Sequence, residues 1–335
     1  MNGSVTQHCN PLLRDLILKI EELKVFYHTD EGTVKAVDGI NLGLASGERL
    51  GLVGESGCGK STVAMAIMGL IKPPGRIEGG KILHGEVDLT GLSEWEMRMY
   101  RLNRISLIPQ GAMNSLNPVS RVKDQIIDGI KAHSQDLSEQ EMSSRVYELL
   151  ESVGLKRDVA RMYPHELSGG MKQRVCVAIA ISLHPQVIIA DEPTSALDVV
   201  VQREVMETIG RLQQELNVSI ILLGHDMGLM AQFVDRVAVM YAGKLAEIGS
   251  VKDLFARPLH PYTQLLIASL PTLGKRGVFK GIPGLTPSLV NVPPGCLFHP
   301  RCPRVMDICS REVPTLKEID GRQVACHLYN SEVLI

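Results

Sequence analysis

No run of apolar residues in this chain is long enough to cross a membrane. The longest, VSIILLG (Val218 to Gly224) and VIIA (Val187 to Ala190), fall far below the roughly 18 residues a spanning helix needs, and they read as buried strands. Neither sign of charge is in excess. With 35 Lys plus Arg against 37 Asp plus Glu, nucleic acid is argued against as the main partner. The amino terminus, MNGSVTQHCNPLLRDLILKI, lacks a basic region, an uninterrupted apolar core and a small-residue cleavage site. No secretory signal is read, and the chain is expected to stay in the cytosol, where structural disulfides are uncommon. No internal repeat, low-complexity tract or heptad run stands out. Cysteine is scarce over most of the chain, yet four of the seven lie at Cys296 or beyond.

What is present is the composition of an ordinary globular protein, 44% hydrophobic and 21% charged over 335 residues. That length allows one large domain with an appendage, or two modest domains, and a sizeable core. From about Leu16 to Val53 the pattern alternates and is β-branched, which predicts a strand-rich start. ERLGLVGESGCGKSTVAMAIMGLI then runs from strand through a glycine-rich turn into a helix, with Val63, Ile67, Met68 and Ile71 at helical spacing. From residue 111 to about 167 the composition is polar and helical, as an insertion would be. A helix over Gly169 to Leu183, a buried strand at Val187 to Ala190, a helix over Val200 to Leu216 and a buried strand at Val218 to Leu223 follow. Strands alternating with helices predict an α/β fold with a parallel sheet covered on both faces. Beyond Pro258 proline and glycine rise and the periodicity fades, which sets a boundary near residue 257.

GESGCGKS, Gly54 to Ser61, fits the phosphate-loop pattern G-x-x-x-x-G-K-[ST] and lies after a strand and before a helix. Gly54, Ser56, Gly57, Cys58 and Gly59 would turn backbone N–H groups toward an anion at a helix N-terminus. Lys60 would reach the β and γ phosphates, Ser61 would ligate Mg²⁺, and Thr62 would follow into the helix. Cys58 reads either as a small permissive loop residue or as a redox sensor. VIIADEP puts Asp191 and Glu192 directly after a buried strand, so Asp191 would hold Mg²⁺ and Glu192 would polarise the attacking water. ELSGGMKQR places Ser168, Gly169 and Gly170 at the start of another helix, a second anion-binding end.

These motifs together resemble the ATP-binding cassette proteins, whose LSGGQ signature is matched except for Met171 in place of glutamine. The resemblance covers about residues 16 to 250. It implies a P-loop NTPase-type sheet core with an antiparallel β subdomain and a helical subdomain. It assigns Gln110 to the Q-loop, where it also neighbours Mg²⁺, Ser195 to Asp198 to the D-loop, and His225 to the switch histidine. Tyr27 matches the aromatic on which adenine stacks, although it also reads as simple core beside Phe26. In that family two cassettes pack head to tail. Lys60, Ser61, Gln110, Asp191, Glu192 and His225 would then act on one ATP, and Ser168, Gly169 and Gly170 on the ATP of the facing subunit.

Further on, ARPLHPYTQLLIASLP (Ala256 to Pro271) and GCLFHPRCP (Gly295 to Pro303) resemble the carboxyl-terminal extension of ATPases from oligopeptide and dipeptide importers, and within the cassette SLNP (Ser115 to Pro118) and the glutamine-less signature GGMKQRV look like the same subfamily. This divides the chain into a cassette at 1–257 and a small irregular accessory domain at 258–335. The resemblance implies two transmembrane permeases as partners, with coupling helices received by the insertion. It also implies a second related ATPase or a second copy, an extracytoplasmic binding protein acting indirectly, and a peripheral place on the cytoplasmic face of the membrane. Cys296, Cys302, Cys309 and Cys326 are spaced C-x5-C-x6-C-x16-C, without the close C-x2-C pairs of zinc ribbons. Four thiolates fit an iron–sulfur cluster, and some members of the subfamily carry [4Fe–4S] on such cysteines. Zinc, with His299 or His327 nearby, and unliganded thiols or labile disulfides are the alternatives. A soluble cassette protein acting on ribosomes or DNA is the rival function, and a regulatory protein with an idle cassette is a third.

Overall fold

Apolar residues at alternating positions, interrupted once, drive the first ordered segment into a long hairpin. In the computed structural model, which describes residues 15–111, 115–133, 137–270 and 281–330, strand β1 (Leu16–Thr29) pairs antiparallel with β2 (Gly32–Ala45). Leu18 and Ile20 are buried, and after a bulge at Glu22, whose φ is 44°, so are Leu23 and Val25. The extra residue resets which face points inward, so both apolar pairs reach the same core. On its other edge β1 pairs with β4 (Gly75–His84), which carries β5 (Val87–Asp88), completing a four-stranded antiparallel sheet.

The main sheet has eight strands. Its centre is β3 (Arg49–Val53), flanked in parallel by β8 (Ser219–Gly224) and β9 (Arg236–Tyr241). Beyond β8 come β7 (Val187–Asp191) and β6 (Ile105–Ile108), also parallel. Their residues are buried on both faces, which is why they read as continuous apolar runs. Beyond β9 the sheet turns antiparallel through β10 (Lys244–Ser250) and a hairpin from the carboxyl-terminal segment, β11 (Lys317–Ile319) and β12 (Arg322–Val324). The expected covered parallel sheet is therefore correct for one half, while the tail extends the other half of the same sheet.

The helices are α1 (Lys60–Ile67), α2 (Glu94–Tyr100), α3 (Val122–Lys131), α4 (Glu139–Ser152), α5 (Gly169–Ile181), α6 (Val199–Leu216), α7 (Met227–Phe233), α8 (Val251–Ala256) and α9 (Pro261–Ala268). α1 and the antiparallel sheet share one core with one face of the main sheet, through Val63, Ile67, Val37 and Ile82. Helices α3 to α6 share a second core with the opposite face, through Ile126, Leu150, Val175 and Ile209. The insertion is helical as its composition predicts, and a capping box between Ser138 and Glu141 starts α4. Among the described residues no helix is long and apolar enough to cross a membrane. The reading of residues 1–14 and the final proline of the Ala256 to Pro271 stretch lie outside the described residues.

Candidate functional site

Because β3, β6, β7 and β8 run parallel, their carboxyl ends open on one edge of the sheet, and the chemistry-bearing loops leave from that edge. Register places Val53 beside Gly224, Asp191 beside Leu223 and Ile108 beside Ala190. The phosphate loop, the Asp191–Glu192 pair, Gln110 and His225 are thus neighbours by topology before any side chain is considered.

The loop from Gly54 to Gly59 needs its glycines where the backbone is both left-handed and crowded. At Gly54 (φ 156°) a Cβ would lie 2.2 Å from the Met240 carbonyl oxygen, and at Gly59 (φ 106°) 2.1 Å from that of Ala36. Ser56 and Gly57 are exposed, and Ser61 and Thr62 are half-buried at the start of α1. The buried Lys60 turns back over the loop, donating to the carbonyls of Gly54 (2.8 Å) and Glu55 (3.1 Å). Cys58 is buried under the loop, and burial pushes its thiol pKa up against the opposing charge of Lys60. A buried, protonated thiol is inert, which favours the permissive reading of Cys58 over the redox sensor.

Asp191 is buried and hydrogen-bonded to the Ser61 side chain. Burial pushes its carboxyl pKa up, and the Glu192 charge adds to this, while the Ser61 hydrogen bond and Lys60 pull the other way. Its Oδ1 is buried and lacks a hydrogen-bonding partner among the described residues. A buried carboxylate oxygen without a donor, beside a hydroxyl, fits a hard divalent cation that takes oxygen ligands. Next in sequence, Glu192 sits at φ 45°, a left-handed conformation costly for a side-chain-bearing residue. The turn aims its carboxylate between two groups: Gln110 Nε2 donates to Oε2 at 3.0 Å, and His225 Nδ1 lies 2.9 Å from Oε1. The His225 side chain is otherwise largely exposed.

Ser168 caps α5 and accepts from the backbone N–H of Met171 at 3.3 Å. Its hydrogen bond stays within its own helix, so the predicted signature Ser168–Gly170 is a separate helix end and not part of the Glu192 constellation. Tyr27 is half-buried, with its ring against the backbone of Gly75, where a Cβ would lie 2.5 Å from the ring. It packs against the core shared with the antiparallel sheet without being fully buried.

The tail cysteines are half-buried at Cys296, Cys302 and Cys326 and buried at Cys309. Burial pushes Cys296 up to about 11 and Cys326 up to about 12, and Cys302 is raised too; in each, neighbouring tail thiols push further in the same direction. The four thiols therefore lie within electrostatic reach of one another. Among the described residues, however, no three His, Cys, Asp or Glu side chains form a group able to hold a single metal ion. His299 Nδ1 lies 2.9 Å from the Cys296 carbonyl oxygen and His327 Nε2 lies 2.8 Å from that of Glu312, so both are engaged with backbone.

Comparison with known proteins agrees with this geometry. The family model described as ABC transporter matches residues 37–195, and that described as oligopeptide/dipeptide transporter, C-terminal region, matches residues 246–309. The oligopeptide transport ATP-binding protein AppD of Bacillus subtilis is 42% identical, over 94% of this chain and 98% of its own. The chain belongs to the ATP-binding subunits of the oligopeptide and dipeptide ABC transporters. OppD of Salmonella typhimurium is 41% identical over the whole of both chains. Among solved structures, the ATP-binding cassette MJ0796, a dimer in a post-hydrolysis state bound to ADP and Pi, is 26% identical with a TM-score of 0.63, over 70% of this chain and 98% of that one. The cbiO1 protein of Clostridium perfringens, part of an ABC transporter complex, is 31% identical with a TM-score of 0.62, over 73% of this chain and 92% of that one. Membership of this family makes the chain an ATP-hydrolysing cassette.

Sequence reasoning missed a further group at the phosphate loop. Arg301, from the tail, holds the Glu55 carboxylate with both ends of its fork, at 2.6 and 3.0 Å. Burial acts to raise the Glu55 pKa, but Arg301 and Thr286 outweigh it and hold the carboxyl below its ordinary value. Glu55 is a free position of the motif and Arg301 an ordinary cation between cysteines, so nothing in one sequence pairs them.

Proposed function

We propose that this chain energises import of dipeptides or oligopeptides by hydrolysing ATP. The observation that carries this reading is the Glu192 carboxylate, held between Gln110 and His225 at the strand ends beside Lys60, Ser61 and Asp191. Lys60 and the loop N–H groups bind the phosphates, exchanging contacts with the loop's own carbonyls for contacts with ATP. Ser61, Asp191 and the neighbouring Gln110 would hold Mg²⁺, which would supply charge neutralisation for the leaving phosphate oxygens. Glu192 orients the attacking water and takes its proton, and Gln110 and His225 hold that carboxylate on line. Tyr27 stacks on adenine. Ser168, Gly169 and Gly170 close over the ATP of a facing cassette, which explains why they stand apart here.

The dimer partner is a second related ATPase or a second copy. Two permease subunits receive the motion through the helical insertion, and an extracytoplasmic binding protein feeds them. The chain works peripherally at the cytoplasmic face of the membrane, with residues 1–257 as cassette and 258–335 as accessory extension. Cys296, Cys302, Cys309 and Cys326 hold a [4Fe–4S] cluster. Sulfurs on one tetrahedral zinc each sit about 2.3 Å from a common centre, whereas a cluster spreads its ligands over several metals. The support for the cluster is the set of four soft thiolate ligands whose charges act on one another.

The test is Glu192→Gln in the assembled transporter. We expect steady-state hydrolysis to fall by about a hundredfold or more, as loss of general-base action does, with ATP affinity retained. Turnover at the parent rate would remove the assignment.

A further inference from the structure

Every polar group of Glu55, the second residue of the phosphate loop, is held. Its backbone N–H donates to the Tyr262 hydroxyl at 3.0 Å, its carbonyl accepts from Lys60 at 3.1 Å, and its carboxylate accepts from Arg301 and from the Thr286 hydroxyl at 3.1 Å. Three of these four partners come from beyond residue 257. Arg301 is itself fixed: it donates to the carbonyls of Ile282 (3.3 Å) and Pro283 (2.8 Å) and to the Tyr241 hydroxyl (3.3 Å), and only 5% of its side chain is exposed. The intervening strap is pinned at its other end, where Lys35 N–H of β2 donates to the Leu289 carbonyl at 3.1 Å. The tail thus runs beside the phosphate loop and grips it.

The charge at this position poses a problem that the grip solves. Glu55 sits in a loop built to receive a polyanion, and an unpaired carboxylate there repels phosphate. A bidentate guanidinium neutralises it and fixes its direction at once. We propose that Arg301 is a positioning residue for the nucleotide: it cancels the Glu55 charge and locks the loop, so the carboxyl-terminal extension is part of the ATP site. This rests on the chain's hydrolysing ATP at that loop. It does not depend on what the cysteines bind.

Two roles for Arg301 predict different things. If it only tacks the tail to the cassette, losing it does the same damage whatever stands at residue 55. If it shields the site from Glu55, removing the carboxylate as well restores binding. The full-length chain carrying Arg301→Ala, Glu55→Gln or both is to be compared with the parent for affinity toward a fluorescent ATP analogue and for kcat and KM. Arg301→Ala should weaken nucleotide binding and raise KM about tenfold or more, since it both frees the loop and bares a charge. Glu55→Gln alone, which removes the charge but leaves Arg301 a side-chain carbonyl to donate to, should cost less than Arg301→Ala, and the double variant, free of the bared charge, should bind nucleotide about threefold or more tighter than Arg301→Ala. Arg301→Ala within twofold of the parent, or a double variant as weak as Arg301→Ala, overturns the proposal. A parent chain that binds and hydrolyses no ATP would instead fail the functional reading, before the variants are compared.

Discussion

At the scale of single residues, the site is made of groups whose ordinary partners are missing or borrowed. Among the described residues Asp191 keeps a buried oxygen without a donor, and Lys60 occupies itself with carbonyls of its own loop. Both are arrangements that ATP and Mg²⁺ would relieve. The tail cysteines make the same point with sulfur. Three of them are held protonated by burial and by one another, and metal binding requires that those protons leave. The iron–sulfur reading predicts that the chain purified without oxygen is brown and carries about four irons per chain. Cys309→Ser, which alters a thiol buried among the others, is expected to lose the colour and the iron together. Stoichiometric zinc without iron in the parent contradicts the cluster.

At the scale of elements, the tail is joined to the cassette by a small polar and aromatic knot around α9. Glu247, fully buried in β10, accepts from the backbone N–H groups of Leu259 and His260, each at 2.9 Å. His260 then caps α9 by accepting from Tyr262 N–H. A chain with only five Phe and seven Tyr places Tyr241, Tyr262 and Phe298 in mutual contact here, with ring centroids 4.7 to 5.3 Å apart. Burial holds His260 neutral and pushes its pKa down to about 4. Because the folded value lies below the ordinary one, the unfolded chain takes the proton first as pH falls. Stability is complete above about pH 6.5 and is lost toward pH 4, by roughly 2 kcal/mol between pH 7 and 5. Chemical denaturation at the two pH values checks this, with His260→Asn, which keeps an acceptor at the cap, expected to flatten the difference.

Those elements also mark where the sequence stops being legible. The phosphate loop, Asp191, Glu192, Gln110 and His225 carry local motifs, and β7, β8, α5 and α6 carry clear apolar runs or helical spacing. Their positions follow within a residue or two. The β9–β10 pair and α9 do not announce themselves, because β10 alternates weakly and α9 lies in a proline-rich stretch. The hairpin β11–β12 has three residues in each strand and exists by pairing with β10, through Glu247 and Val324. The clamp of Arg301 on Glu55 spans 246 residues, and no periodicity or motif reports a contact of that range.

At the scale of the whole molecule, one sheet carries both the hydrolytic edge and the β11–β12 hairpin of the accessory extension. The cassette therefore does not end where its family motifs end. On the proposed reading the chain is one component of an importer whose other subunits select the cargo, and its signature at Ser168–Gly170 is a helix end separate from its own Glu192 constellation. Peptide uptake into proteoliposomes holding the chain with its own permeases, its companion ATPase and its binding protein decides the matter. Labelled peptide should accumulate inside only when ATP is supplied on the cassette side, and accumulation should vanish with Glu192→Gln. Vigorous ATP hydrolysis with no ATP-dependent accumulation of any dipeptide or oligopeptide would contradict a peptide importer.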